Sequence, residues 1–174
     1  MAQIKALFFD LGDTLVREYH KGEPVPSEPT VFPHVKEVIR RLADRYILAI
    51  ISNTVTAGSQ RLRELLKAAG LDPYFVLVLA SAEEGVEKPD PEIFNRALTK
   101  LNFSAHETIM IGNRISRDIL GGNRTGMRSI LVWHQGVDHH PEDKIARTDD
   151  ERPIATVHSF LELEQVILQP SEAA

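Results

Sequence analysis

The chain has 174 residues and no cysteine. That excludes disulfides and thiolate metal sites, and a reducing compartment is the simpler setting. Positive charge is also short. Twenty Lys and Arg stand against 25 Asp and Glu, a net charge of −5. Such a balance leaves no electrostatic footprint for nucleic acid or an anionic membrane surface. No apolar run approaches the length of a transmembrane helix. The first one, Ala6 to Phe9, is too short for a signal peptide and ends on Asp10. These shortages predict a cytoplasmic protein. What remains is ordinary globular material. Apolar residues make up 43% and charged residues 26%, enough for one domain, residues 1–174, with a full core.

The hydrophobic pattern alternates along the chain. "IKALFFD", "ILAIISN", "FVLVLAS", "TIMIGN" and "SILVW" are short apolar runs, as in strands buried on both faces. Between them lie segments with helical spacing. Val35, Val38, Ile39 and Leu42 form one stripe, and Leu62, Leu65, Leu66 and Ala69 another, stopped by Gly70. Pro91 opens a third helix with Asp90 as its N-cap. "SRDILGGNRTG" reads as a short helix, and "ATVHSFLELEQVIL" as an edge strand with a closing helix. Alternation of this kind predicts a three-layer αβα fold. Its doubly wound parallel sheet carries helices on both faces. Two segments fall outside the alternation. Residues 16–33 hold Pro24, Pro26 and Pro29 and read as a short excursion after the first strand. Residues 133–153 form a polar, histidine-bearing loop.

In such sheets ligands bind beyond the carboxyl ends of the strands. Asp10 follows the first run, Ser52, Asn53 and Thr54 the second, and Lys88 comes after the third. Gly112 and Asn113 close the fourth, with Asp118 beyond. Singly, each is an ordinary turn, cap or surface residue. Convergent, they make a phosphoryl-transfer site. A carboxylate beside Mg²⁺ can attack phosphorus, while hydroxyl, amide and ammonium donors stabilise the equatorial oxygens.

In this order the residues resemble the four motifs of the haloacid dehalogenase-like (HAD) superfamily, in "FFDLGDTLV", "ILAIISNT", "EKPDPEIF" and "IMIGNRISRDILGGNRTGMRSILV". The likeness runs from about Ile4 to Val132. It implies a HAD-like fold without a large cap and Mg²⁺-dependent phosphoester hydrolysis through an aspartyl-phosphate on Asp10. It makes Asp10 nucleophile and metal ligand. Ser52, Asn53 and Lys88 become phosphate-binding, with Lys88 also neutralising charge on Asp10. The Gly12 carbonyl, Asn113 and Asp118 become further metal ligands. The implied partner is a phosphorylated small molecule or macromolecule, with neither nucleic acid nor membrane.

Two positions depart from the family pattern. The first motif usually reads D-x-D-G-T, and its second Asp is the general acid–base. Here that position is Gly12, followed by Asp13. Attenuated turnover is expected, since a positioned acid–base contributes about 10²–10⁴-fold. Asn113 stands where the fourth motif usually has Asp, which predicts weaker metal binding. Two other readings stay open. One is a catalytically silent relative that binds a phosphorylated ligand or a protein. The other is a 2-haloacid dehalogenase, for which residues 16–33 offer too small a cap. His134, Asp138, His139 and His140 could bind a transition metal or belong to a solvated loop, and Trp133 reads as packing or site rim.

Overall fold

A computed structural model describes residues 3–19, 22–134 and 140–168. The chain runs β1 (Ala6–Phe9), α1 (Val35–Ala43), β2 (Ile47–Ser52), α2 (Ser59–Ala68), β3 (Phe75–Ala80) and a single turn, α3 (Ser81–Glu84). It continues through α4 (Pro91–Leu101), β4 (Thr108–Gly112), α5 (Leu120–Arg124), β5 (Arg128–Val132), β6 (Ala155–Val157) and α6 (Phe160–Leu168). The strands form one parallel sheet in the order β3-β2-β1-β4-β5-β6. This is the doubly wound α/β fold expected from the alternation.

Burial on both faces explains the unbroken apolar runs. Leu7, Phe9, Ile50 and Ile111 belong to one core with α1, α2 and α6; Phe8, Ala49, Ile51 and Met110 belong to another with α4. The stripe Val35, Val38, Ile39 and Leu42 is fully buried, and Leu62 and Leu66 carry the contact of α2. Asp90 caps α4 by accepting from the Glu92 N–H at 2.9 Å. Gly70 takes a φ of +72° where α2 has ended, a conformation that disfavours a β-carbon.

The order of the strands fixes where a ligand can sit. β1 pairs with β2 on one side and β4 on the other, Phe9 lying opposite both Ile50 and Ile111. The crossover direction reverses between β1 and β4, so a crevice opens at their carboxyl ends. Asp10 is the first residue past β1, and its N–H still donates to Ile111 at 2.9 Å.

The excursion after β1 folds back on itself. Val16 bridges Gly12 and Val31, Arg17 N–H donates to Thr30, and Phe32 N–H donates to Leu15. Among the described residues no helix is long and apolar enough to cross a membrane.

Candidate active site

Asp10, Gly12, Ser52, Asn53, Lys88, Asn113 and Asp118 line one small cleft. Asp10, Ser52, Asn53, Lys88, Asn113 and Asp118, singled out at the strand ends, therefore meet, whereas Thr54 lines the neighbouring cavities instead. Asp10 follows β1, Ser52 ends β2, and Lys88 descends from the segment before α4. Asp118 comes from a π-helical turn, Ile115–Ile119, that runs into α5.

Lys88 is the hub. Its Nζ donates to Asp10 Oδ1 at 2.7 Å and to Asp118 Oδ1 at 2.6 Å, and it is 2% exposed. Burial works against the ammonium charge, but the two carboxylates outweigh it and raise the Lys88 pKa above the ordinary lysine value. The second oxygens are satisfied too. Thr14 Oγ1 donates to Asp10 Oδ2 at 3.0 Å, and Arg114 N–H to Asp118 Oδ2 at 3.0 Å. Gly112 makes this closeness possible, since a β-carbon there would lie 2.3 Å from Asp118 Cγ.

Two carboxylates face one ammonium, so the cluster carries excess negative charge. Burial pushes the Asp118 carboxyl up to about 6; Lys88 pulls it back and Asp10 pushes it further. A site that resists holding its second negative charge gains from another cation. Its donors are hard oxygens, which suits Mg²⁺. Asp10, Asp118, the Gly12 carbonyl and Asn113 are the residues that would hold it. Among the described residues no three His, Cys, Asp or Glu side chains gather into a metal cluster, so the fit rests on these two carboxylates with neutral oxygens. Of the histidine group, Asp138 and His139 lie outside the described residues. His140 lines the cleft and sits 3.4 Å from Glu142.

Asn53 does something the motif does not disclose. Its Nδ2 donates to the Lys88 carbonyl at 2.8 Å and its Oδ1 accepts from the Lys88 N–H at 2.9 Å. The amide grips the Lys88 backbone in both directions and fixes where the ammonium enters the cleft. Ser52, with its hydroxyl oxygen, remains beside it on the cleft wall.

The polar loop is partly built into the site rather than purely solvated. Lys144 is buried and donates to the Asn113 carbonyl. Asp143 accepts from Arg114 Nε at 2.6 Å and from the Ser116 N–H and hydroxyl, both at 2.7 Å. Burial disfavours its charge, yet these donors hold its carboxyl below the usual range. His134 stacks on Phe32, centroids 3.7 Å apart, and lies near Phe160. Its Nε2–H donates to the Thr14 carbonyl at 2.9 Å. Burial lowers its pKa despite that bond, which favours the neutral ring, and the bond ties it to the first motif.

The turn after Asp10 holds the main surprise. Asp13 has a φ of +50° and accepts the Glu18 N–H on Oδ1 at 2.8 Å. A β-carbon on Gly12 would come within 1.9 Å of Glu18 Oε1. The space of the missing side chain is thus filled by a carboxylate from six residues on. Beyond Glu18 a second cavity of about 480 Å³ opens, walled by the excursion and α2, with Val25, Pro26, Arg61 and Leu65 among its lining.

The parallel sheet thus carries one carboxylate after β1 and a second after β4, joined by a buried lysine at the switch point. The chain belongs to the haloacid dehalogenase-like hydrolase family, whose model matches residues 4–132. A phosphoserine phosphatase of Thermus thermophilus is 37% identical over 140 residues, covering 80% of this chain and 51% of the relative. A Listeria monocytogenes protein of known structure superposes with a TM-score of 0.78 at 24% identity, covering 95% of this chain and 97% of that one. YfnB of Bacillus subtilis, solved bound to magnesium, gives a TM-score of 0.67 at 25% identity over 80% of this chain and 57% of that one. The chain spans about half the length of the curated relatives it matches.

Proposed function

We propose that the chain hydrolyses phosphate monoesters, with Asp10 as nucleophile and Mg²⁺ as cofactor. The observation that carries this reading is the buried bridge of Lys88 between Asp10 and Asp118 at the switch point of the sheet. Asp10 Oδ attacks phosphorus, the ester P–O bond breaks, and an aspartyl-phosphate forms. Lys88 and the Ser52 hydroxyl take up charge on the phosphoryl oxygens. Asn53 serves the phosphate through the Lys88 backbone it holds. When bound, Mg²⁺ would screen the repulsion between the carboxylate and the phosphoryl group.

The cavity of about 480 Å³ beside the cleft is of the size that holds a small organic molecule. We assign it to the leaving group. The name of the Thermus relative, a phosphoserine phosphatase, supports a phosphorylated small molecule as substrate. Residue 12 offers no acid or base of its own, so turnover is expected to fall below that of a site with Asp at that position.

A panel of phosphate monoesters, assayed with Mg²⁺ and with EDTA, tests the reading. Mg²⁺-dependent phosphate release from at least one small ester is the expected result. No release from any ester would leave a silent, ligand-binding relative.

A further inference from the structure

We propose that Glu18 is the proton-transfer group of this site, delivering from outside the motif the carboxylate that Gly12 lacks. The inference rests on the aspartyl-phosphate reading above and names how its second half proceeds.

Three observations converge on Glu18. First, its Oε1 lies 1.9 Å from where a β-carbon of residue 12 would stand, so its carboxylate fills that side chain's space. Secondly, Glu18 lines both the small cleft with Asp10 and Lys88 and the larger cavity assigned to the leaving group. Glu18 thus stands at the border between the two, beside the cleft that holds Asp10. Thirdly, the turn is built to bring it there. Asp13 Oδ1 holds the Glu18 N–H at 2.8 Å, Asp13 N–H donates to Val16 at 2.7 Å, and Val16 bridges both Gly12 and Val31. The inverted order of Gly12 and Asp13 thereby gains a purpose. Glycine leaves room for the incoming carboxylate, and Asp13 anchors the backbone that carries it. Asp13 is a positioning residue.

Water attacks the phosphorus of the aspartyl-phosphate and a new P–O bond forms. One water O–H bond breaks, and its proton goes to the Glu18 carboxylate. The P–O bond to Asp10 breaks with its electron pair returning to Asp10, which frees inorganic phosphate. Glu18 is exposed at the cleft mouth and releases the proton to bulk water.

The test is pre-steady-state release of 4-nitrophenol from 4-nitrophenyl phosphate with Mg²⁺, with intact-protein mass of the quenched enzyme. Attack on so good a leaving group needs little proton assistance. Glu18→Gln should therefore release its first equivalent at close to the parental rate. Its steady-state rate should fall about 10²-fold, the usual size of an acid–base effect, while phosphoenzyme accumulates. In Glu18→Ala the seat is vacated, and adding Gly12→Asp should restore turnover to within about 10-fold of the parent, short of full recovery because the shell is not adapted. A purely structural Glu18 would lower both phases together and show no phosphoenzyme. That result, or parental turnover in Glu18→Gln, overturns the proposal. Asp10→Asn separates the two readings. If it still turns over, the aspartyl-phosphate reading fails and takes Glu18 with it. If it is silent while Glu18→Gln matches the parent, only the Glu18 assignment fails. If the parent releases no 4-nitrophenol, both are overturned.

Discussion

Replacing Lys88 by methionine should destabilise the protein by an amount that grows with pH. Lys88 is fully enclosed and bonds Asp10 and Asp118 at 2.7 and 2.6 Å. Methionine fills much of the volume but leaves two buried carboxylates facing each other without a cation. Removing one partner of a buried ion pair costs about 3–5 kcal/mol, and here two pairs share the lost partner. The sign with pH follows from which groups titrate. The ammonium has a raised pKa, so its contribution is complete below the ordinary lysine value and constant across pH 5–8. Asp118 supplies the dependence. Burial and the repulsion of Asp10 already raise Asp118 to about 6 with Lys88 present, and loss of the ammonium raises Asp118 further. A raised carboxyl pKa gives stability that is present at low pH and lost as pH climbs through the folded-state value. The penalty should therefore be about 4 kcal/mol at pH 8 and about half that at pH 5. For a domain of this size the larger figure corresponds to roughly 8–16 °C in Tm. Urea unfolding of parent and Lys88→Met in EDTA at both pH values measures it. A penalty equal at the two pH values, or smaller at pH 8, would refute the buried-triad account.

Other expectations are simpler. Asn113→Asp adds a charged oxygen to the cation site and should tighten Mg²⁺ binding; calorimetry showing unchanged or weaker affinity counts against Asn113 as a ligand. His134→Phe keeps the stack with Phe32 but removes the donor to the Thr14 carbonyl, which should cost about 1–3 kcal/mol at pH 7. The depressed His134 pKa gives the parent stability that is lost as pH falls below the ordinary histidine value of 6.5. The gap between parent and variant should accordingly narrow from pH 7 to pH 5.5 in thermal melts. A gap that widens would mean that His134 is charged in the fold.

Most of the fold was legible in the sequence, and so was the ring of strand-end residues. Asp10, Ser52 and Asn113 each follow an apolar run, and a parallel sheet gathers such residues at one edge by geometry alone. Lys88 and Asp118 were legible through motif spacing. The rest depends on contacts between residues far apart in the chain. Asn53 reads as a phosphate donor because its grip on Lys88 spans 35 positions. Lys144 sits among Glu142, Asp143 and other charges that look solvated, and only the docking of the loop on Asn113 buries it. Glu18 lies in a proline-bearing excursion with no periodicity. Its placement follows from the left-handed turn at Asp13 and the bridges of Val16, neither of which an apolar pattern encodes.

The central claim is that Asp10 carries the phosphoryl group. Acid-quenched enzyme, after mixing with Mg²⁺ and 4-nitrophenyl phosphate, can be digested and its peptides read by mass. The account requires one phosphoryl group on the peptide that contains Asp10, enriched in Glu18→Gln and missing in Asp10→Asn. Phosphorylation at another residue, or turnover that survives Asp10→Asn, would contradict it.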